Sequence, residues 1–206
     1  MNAPVFTERS IAAGGSVLRC LEAGSGETLV CLLDGAGLRS ARAHALMAEQ
    51  RRVLVFAPPE GAAAPAFARS ISAAMETLGI ERCDVVGQGD GAAAALFLAL
   101  ARPGTIGAVA LVAPTALADG GQGIAPRLAE LKCPVLALFG TRDAIAPPEH
   151  GGRYRALLPD CHLMFVYDAA HAVETERPEA LASIALEFFE RRDLFLVNRD
   201  SGKTFP

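Results

Sequence analysis

Long apolar runs are missing from this chain. Stretches such as Ala92 to Ala101 are far shorter than a bilayer-spanning helix. The opening MNAPVFTERS has no basic start followed by an apolar block, so no secretory signal is read there. No lysine/arginine cluster offsets the formal net charge of −4, which argues against nucleic acid as a partner. The five cysteines, Cys20, Cys31, Cys83, Cys133 and Cys161, stand singly, without a Cys-x-x-Cys pair or a metal-ligand spacing. An odd, unpaired set at the edges of apolar runs reads as reduced thiols acting as small buried hydrophobes. These absences together predict a cytoplasmic protein with no metal, no cofactor and no membrane partner.

What remains is ordinary globular material. The 206 residues are 51% hydrophobic and 20% charged, enough for one well-buried core and too few for two comfortable domains. Residues 1–192 read as one domain and 193–206 as a tail. Short apolar runs at Leu29–Leu33, Val53–Ala57, Asp84–Val86, Ala108–Ala113, Val135–Phe139 and Leu163–Tyr167 are bounded by Gly, Pro or Asp, as strands covered on both faces are. Val17–Glu22 alternates more and reads as a leading antiparallel strand. Helical patterns lie between them, at Ala41–Glu49, Ala66–Leu78, Gly91–Ala101, Ala125–Leu131, Glu149–Leu157 and Pro178–Arg191. Strand and helix in alternation predict an α/β fold, a mostly parallel central sheet with helices on both faces. Ligands in such sheets bind beyond the carboxyl ends of the strands. The tail carries Leu194, Phe195, Leu196 and Val197. It docks either on its own domain or on a second copy, which would make a homo-oligomer.

Strand ends hold the informative residues. Cys83-Asp84-Val85-Val86-Gly87-Gln88-Gly89-Asp90-Gly91 is a strand that enters a glycine-studded turn and then an alanine-rich helix. Further on, Phe139-Gly140-Thr141-Arg142-Asp143 ends an apolar strand with an acid. Asp168-Ala169-Ala170-His171 lies just past another strand, and Leu33-Asp34-Gly35-Ala36-Gly37 follows an earlier one. In position and flanks, these segments resemble the α/β-hydrolase superfamily of serine-esterase type, over roughly residues 15 to 190. Position 89 corresponds to the centre of that family's nucleophile elbow, Gly-x-Ser-x-Gly. Gly87 and Gly91 meet the elbow's demand for small residues, Gln88 lies between, and Gly89 stands where the serine should be. The resemblance implies Asp143 as the acid and His171 as the base, with the backbone amides of Ala36 and Asp90 as oxyanion donors. It also implies a small ester, thioester or related acyl ligand. The family's lid is absent, since only Pro114 to Gly123 separates a strand from the next helix, and a shallow, open site is expected.

Each residue has a plainer alternative. Glycine at 89 removes the nucleophile, so the acyl-enzyme route is closed. It also relieves a strained bend that costs another residue on the order of 1–3 kcal/mol. Asp90 lies one position too late for a nucleophilic aspartate and reads better as a cap on the following helix. Gly87-x-Gly89-x-x-Ala92 matches a dinucleotide fingerprint but follows a middle strand, without the acidic residue that the motif needs. His171 is either one half of a dyad with Asp143 or a satisfied surface histidine. Asp34 replaces the family's histidine beside the oxyanion loop, either as a turn-former or as a charge that opposes an oxyanion. Three readings stay open: a serine-hydrolase-like protein seen without its serine, a ligand- or protein-binding pseudoenzyme, and general-base catalysis by the His171–Asp143 pair on water admitted to the void at Gly89.

Overall fold

The computed structural model of the chain describes residues 4–35, 37–117, 123–192 and 195. Among the described residues, eight strands form one sheet in the order β1-β2-β4-β3-β5-β6-β7-β8. They are β1 (Thr7–Ala13), β2 (Ser16–Ala23), β3 (Thr28–Leu32), β4 (Arg52–Phe56), β5 (Cys83–Gln88), β6 (Ile106–Val112), β7 (Val135–Gly140) and β8 (Cys161–Val166). Only β2 runs antiparallel to its neighbours, and β4 to β8 are parallel throughout. The helices are α1 (Arg42–Ala48), α2 (Ala64–Thr77), α3 (Gly91–Ala101), α4 (Gly151–Leu157), α5 (Val173–Glu176) and α6 (Pro178–Arg191). The expected α/β architecture is present, and no cap domain stands over the sheet among the described residues.

Local chemistry explains where the elements differ from the sequence reading. β1 is an additional strand, joined to β2 through Gly14 and Gly15, both with positive φ. Only Ile11 and Ala13 of β1 are buried, which hides it from a search for apolar runs. The turn at 125–130 is a 3-10 helix, with Pro126 in its first turn, rather than an α-helix. The pattern at 149–157 divides into a 3-10 turn, Pro148–His150, and α4.

The middle strands are buried on both faces, and apolar side chains from the two sides of the sheet join one continuous core. Helix α3 is apolar all round and almost wholly buried, as suits a helix enclosed by its own domain. Asp84 is the buried charge beneath the sheet's amino end, with Arg192 Nη1 at 3.0 Å and Arg51 Nη1 at 3.4 Å. Burial raises its carboxyl and the two guanidinium groups oppose that rise. Phe195 packs edge-on against Phe188 and His162, with ring centroids at 5.5 and 5.7 Å, so this part of the tail docks on its own domain. The rest of 193–206 lies outside the described residues. Also among these residues, no helix is long and apolar enough to cross a membrane.

Burial controls the thiols. It raises Cys20 and Cys133 to about 11 and Cys83 and Cys161 to about 12, and pushes the fully enclosed Cys31 up as well. The thiolate is the reactive form. A disulfide reagent at pH 8 should therefore leave all five cysteines unmodified in the native chain and titrate all five after guanidinium unfolding. Prompt reaction of any one would contradict this account.

Candidate active site

The carboxyl ends of β3, β5, β7 and β8 bring together Asp34, the turn at Gly89, Asp143 and His171. Gly89 has φ +49°, in the left-handed region that favours glycine. Its N–H donates to the Val112 carbonyl at 2.9 Å, and its own carbonyl accepts from Ala92 N–H and Thr115 N–H. The flanking glycines are needed for space. A Cβ on Gly87 would lie 2.7 Å from Ala92 Cα, and one on Gly91 would lie 2.4 Å from the Leu32 carbonyl oxygen. Gln88 ends β5 almost fully buried, and its side-chain amide has no hydrogen-bond partner among the described residues.

Asp143 and His171 are in direct contact. Asp143 Oδ2 accepts from His171 Nδ1 at 2.8 Å, while its Oδ1 accepts Ile145 N–H at 2.8 Å and Ala146 N–H at 2.9 Å. The Asp143 side chain is fully enclosed, whereas that of His171 is 22% exposed. A carboxylate acceptor on Nδ1 makes that nitrogen the donor, so Nε2 is the nitrogen available on the other side.

What Nε2 faces was not legible from spacing. Asp34 Oδ2 lies 3.7 Å from it, and Asp34 Oδ1 accepts the Asp90 N–H at 3.3 Å. The aspartate also fills the space beside Gly89. A Cβ at 89 would stand 2.6 Å from Asp34 Cγ and 2.9 Å from Asp34 Cβ, well inside van der Waals contact. The void expected at Gly89 is therefore not open; a carboxylate occupies it. Of the two backbone donors implied by the resemblance, Asp90 N–H is engaged by Asp34, and Ala36 lies outside the described residues.

Asp90 precedes α3 but makes no side-chain capping bond; its carboxylate accepts the Thr115 hydroxyl instead. Thr115 sits on the loop after β6, which Tyr154 fixes by donating to the Pro114 carbonyl and accepting the Leu117 N–H, both at 3.2 Å. Next to the turn lies a cavity of about 160 Å³, lined by Pro58, Phe67, Ala93 and Ala94 with Asp90 and Thr115 at its polar side. Glu174, half-buried on α5, completes the surroundings. Burial raises its carboxyl, Arg39 and His171 counter that, and Asp34 adds to the rise. Neither Thr115 nor Glu174 belongs to a sequence motif, so only the fold identifies them.

No family model and no curated protein matches the chain. Solved structures do. A serine hydrolase involved in carbazole degradation superposes with a TM-score of 0.77 at 17% identity, over 91% of this chain and all of the other. Naproxen esterase from Bacillus subtilis gives 0.76 at 16% identity, covering 90% and 92% of the two chains. An α/β-hydrolase enzyme from a lagoon-sediment metagenome of Mar Chica, Morocco, gives 0.74 at 21% identity, covering 90% and 99%. At these identities the likeness is one of fold.

Proposed function

We propose that this chain, whose fold is that of the α/β-hydrolases, is a hydrolase-like protein for small ester, thioester or related acyl ligands, with its acyl-enzyme route closed. His171 is the base, Asp143 holds its tautomer, and Gly89 marks the nucleophile position of the elbow, flanked by Gly87, Gln88 and Gly91. Acyl transfer through a serine needs an oxygen at 89 and a free N–H at 90 for the developing oxyanion. One observation weighs against both: the Asp34 carboxylate fills the first space and accepts the second donor.

The test uses the chain as it is. With p-nitrophenyl butyrate, no burst of product stoichiometric with protein is expected, and a fluorophosphonate probe should leave the chain unlabelled. A stoichiometric burst, or label on any residue of the bend, would overturn the closure. The non-hydrolysable butyramide should still raise the melting temperature. Absence of any shift up to millimolar concentration would count against an acyl ligand.

The Asp34 contact also favours a second reading, in which the protein binds its ligand without turnover. General-base hydrolysis by His171 separates the two. Such catalysis contributes roughly 10²–10⁴-fold where it operates. Ester turnover that falls a hundredfold in His171→Ala would support it. Butyramide binding with no turnover in either chain would leave the binding role.

A further inference from the structure

The three residues before His171 are held by hydrogen bonds and ion pairs, many of them from the loop that carries Asp143. Asp168 adopts φ +57°, a left-handed conformation in which a side chain is strained unless its surroundings fix it. Its N–H donates to Thr141 Oγ1 at 2.9 Å and its carbonyl accepts Arg142 Nη2 at 3.2 Å. Its carboxylate lies between two arginines, with Arg142 Nε 3.0 Å from Oδ1 and Arg177 Nη2 against Oδ2. The next carbonyl, of Ala169, accepts Arg142 N–H at 2.8 Å, and Ala170 N–H donates to Glu176 Oε2 at 2.9 Å. Backbone packing closes the join: a Cβ on Gly140 would lie 2.4 Å from the carbonyl oxygens of both Ala169 and Ala170.

Thr141 and Arg142 directly precede Asp143. The segment that aims the imidazole is thus bonded to the segment that carries its acceptor. We propose that Asp168 is the positioning residue of His171, turning the chain so that Nδ1 meets Asp143 and tying the two loops into one body. The polar contacts of Asp168 are with Thr141, Arg142 and Arg177, so its effect passes through the backbone of 169 and 170. The inference rests on reading His171 as the base, but its readout is the imidazole–carboxylate bond itself.

The test is nuclear magnetic resonance on the chain labelled with ¹⁵N-histidine. The native chain should show a low-field proton on His171 Nδ1, with nitrogen shifts of a single tautomer. Asp168→Ala should lose that proton to exchange with water and mix the tautomers while the chain stays folded. Asp168→Asn, which tolerates the left-handed turn and keeps a hydrogen-bonding side chain, should restore part of the signal. Should Asp168→Ala fail to fold, Thr141→Val removes only the hydroxyl that fixes the turn, and a weakened resonance is expected there too. A folded Asp168→Ala or Thr141→Val with the resonance and tautomer unchanged would overturn the proposal. A resonance lost as expected in Asp168→Ala, with no sign of a base at the bend in any assay, would instead count against the role of His171.

Discussion

Serine at position 89 becomes reactive toward a fluorophosphonate only when Asp34 is cut back to glycine in the same chain. Gly89→Ser alone sets its new Cβ against Asp34 Cγ at 2.6 Å and against Asp34 Cβ at 2.9 Å. The second contact is with the root of the side chain, so no rotation of the carboxylate relieves it. The single variant should therefore be destabilised and unlabelled. Asp34→Gly with Gly89→Ser removes the collision, frees the Asp90 N–H and clears the carboxylate from His171 Nε2. One oxyanion donor alone is worth roughly 10²–10³ in rate. Labelling of the double variant should thus exceed that of Gly89→Ser by a hundredfold or more, and adding His171→Ala should abolish it. Intact mass spectrometry measures all three. A folded double variant that stays unlabelled would remove the case for a catalytic constellation at the bend.

Gly91→Ala should unfold the chain or come close to it. The added methyl meets three backbone atoms at once: the carbonyl oxygens of Leu32 and Leu33 at 2.4 and 2.7 Å, and Leu32 C at 2.9 Å. Backbone at the centre of a sheet cannot rotate aside, and α3 packs on the face of the sheet against β5, β6 and β3. Overpacking usually costs about 1–3 kcal/mol, and the rigidity of all three partners puts this case at about 3 kcal/mol or more. Gly15 provides the contrast. Its φ is +88° but no described residue lies within 4 Å of a Cβ there, so Gly15→Ala incurs backbone strain without collision, about 1 kcal/mol. Urea unfolding of the two variants separates the effects. A Gly91→Ala chain within 1 kcal/mol of the parent would show that helix and sheet are not tightly apposed.

The strands and the segments that carry Asp143 and His171 were legible because their signals are local. Continuous apolar runs mark β3 to β7, and the fixed order of turn, acid and histidine marks strand ends. The β1–β2 hairpin has its own local sign in Gly14-Gly15, but its exposed strand carries little apolar pattern. The relation between Asp34 and Gly89 is of another kind. Fifty-five positions separate them, and only the adjacency of β3 and β5 in the sheet brings them into contact. Spacing could suggest that Asp34 disfavours an anion. It could not show that the carboxylate occupies the volume that a side chain at 89 would need. The turn at Asp168 is equally silent in sequence, because nothing in the spacing of Arg142 and Arg177 shows that both converge on its carboxylate.

Mutual exclusion between positions 34 and 89 bears on how such a sequence can arise. Asp34 in this pose and any β-carbon at 89 cannot share one chain, so a residue larger than glycine at 89 requires a smaller or differently directed residue at 34. Homologous sequences should accordingly show the two sites changing as a pair.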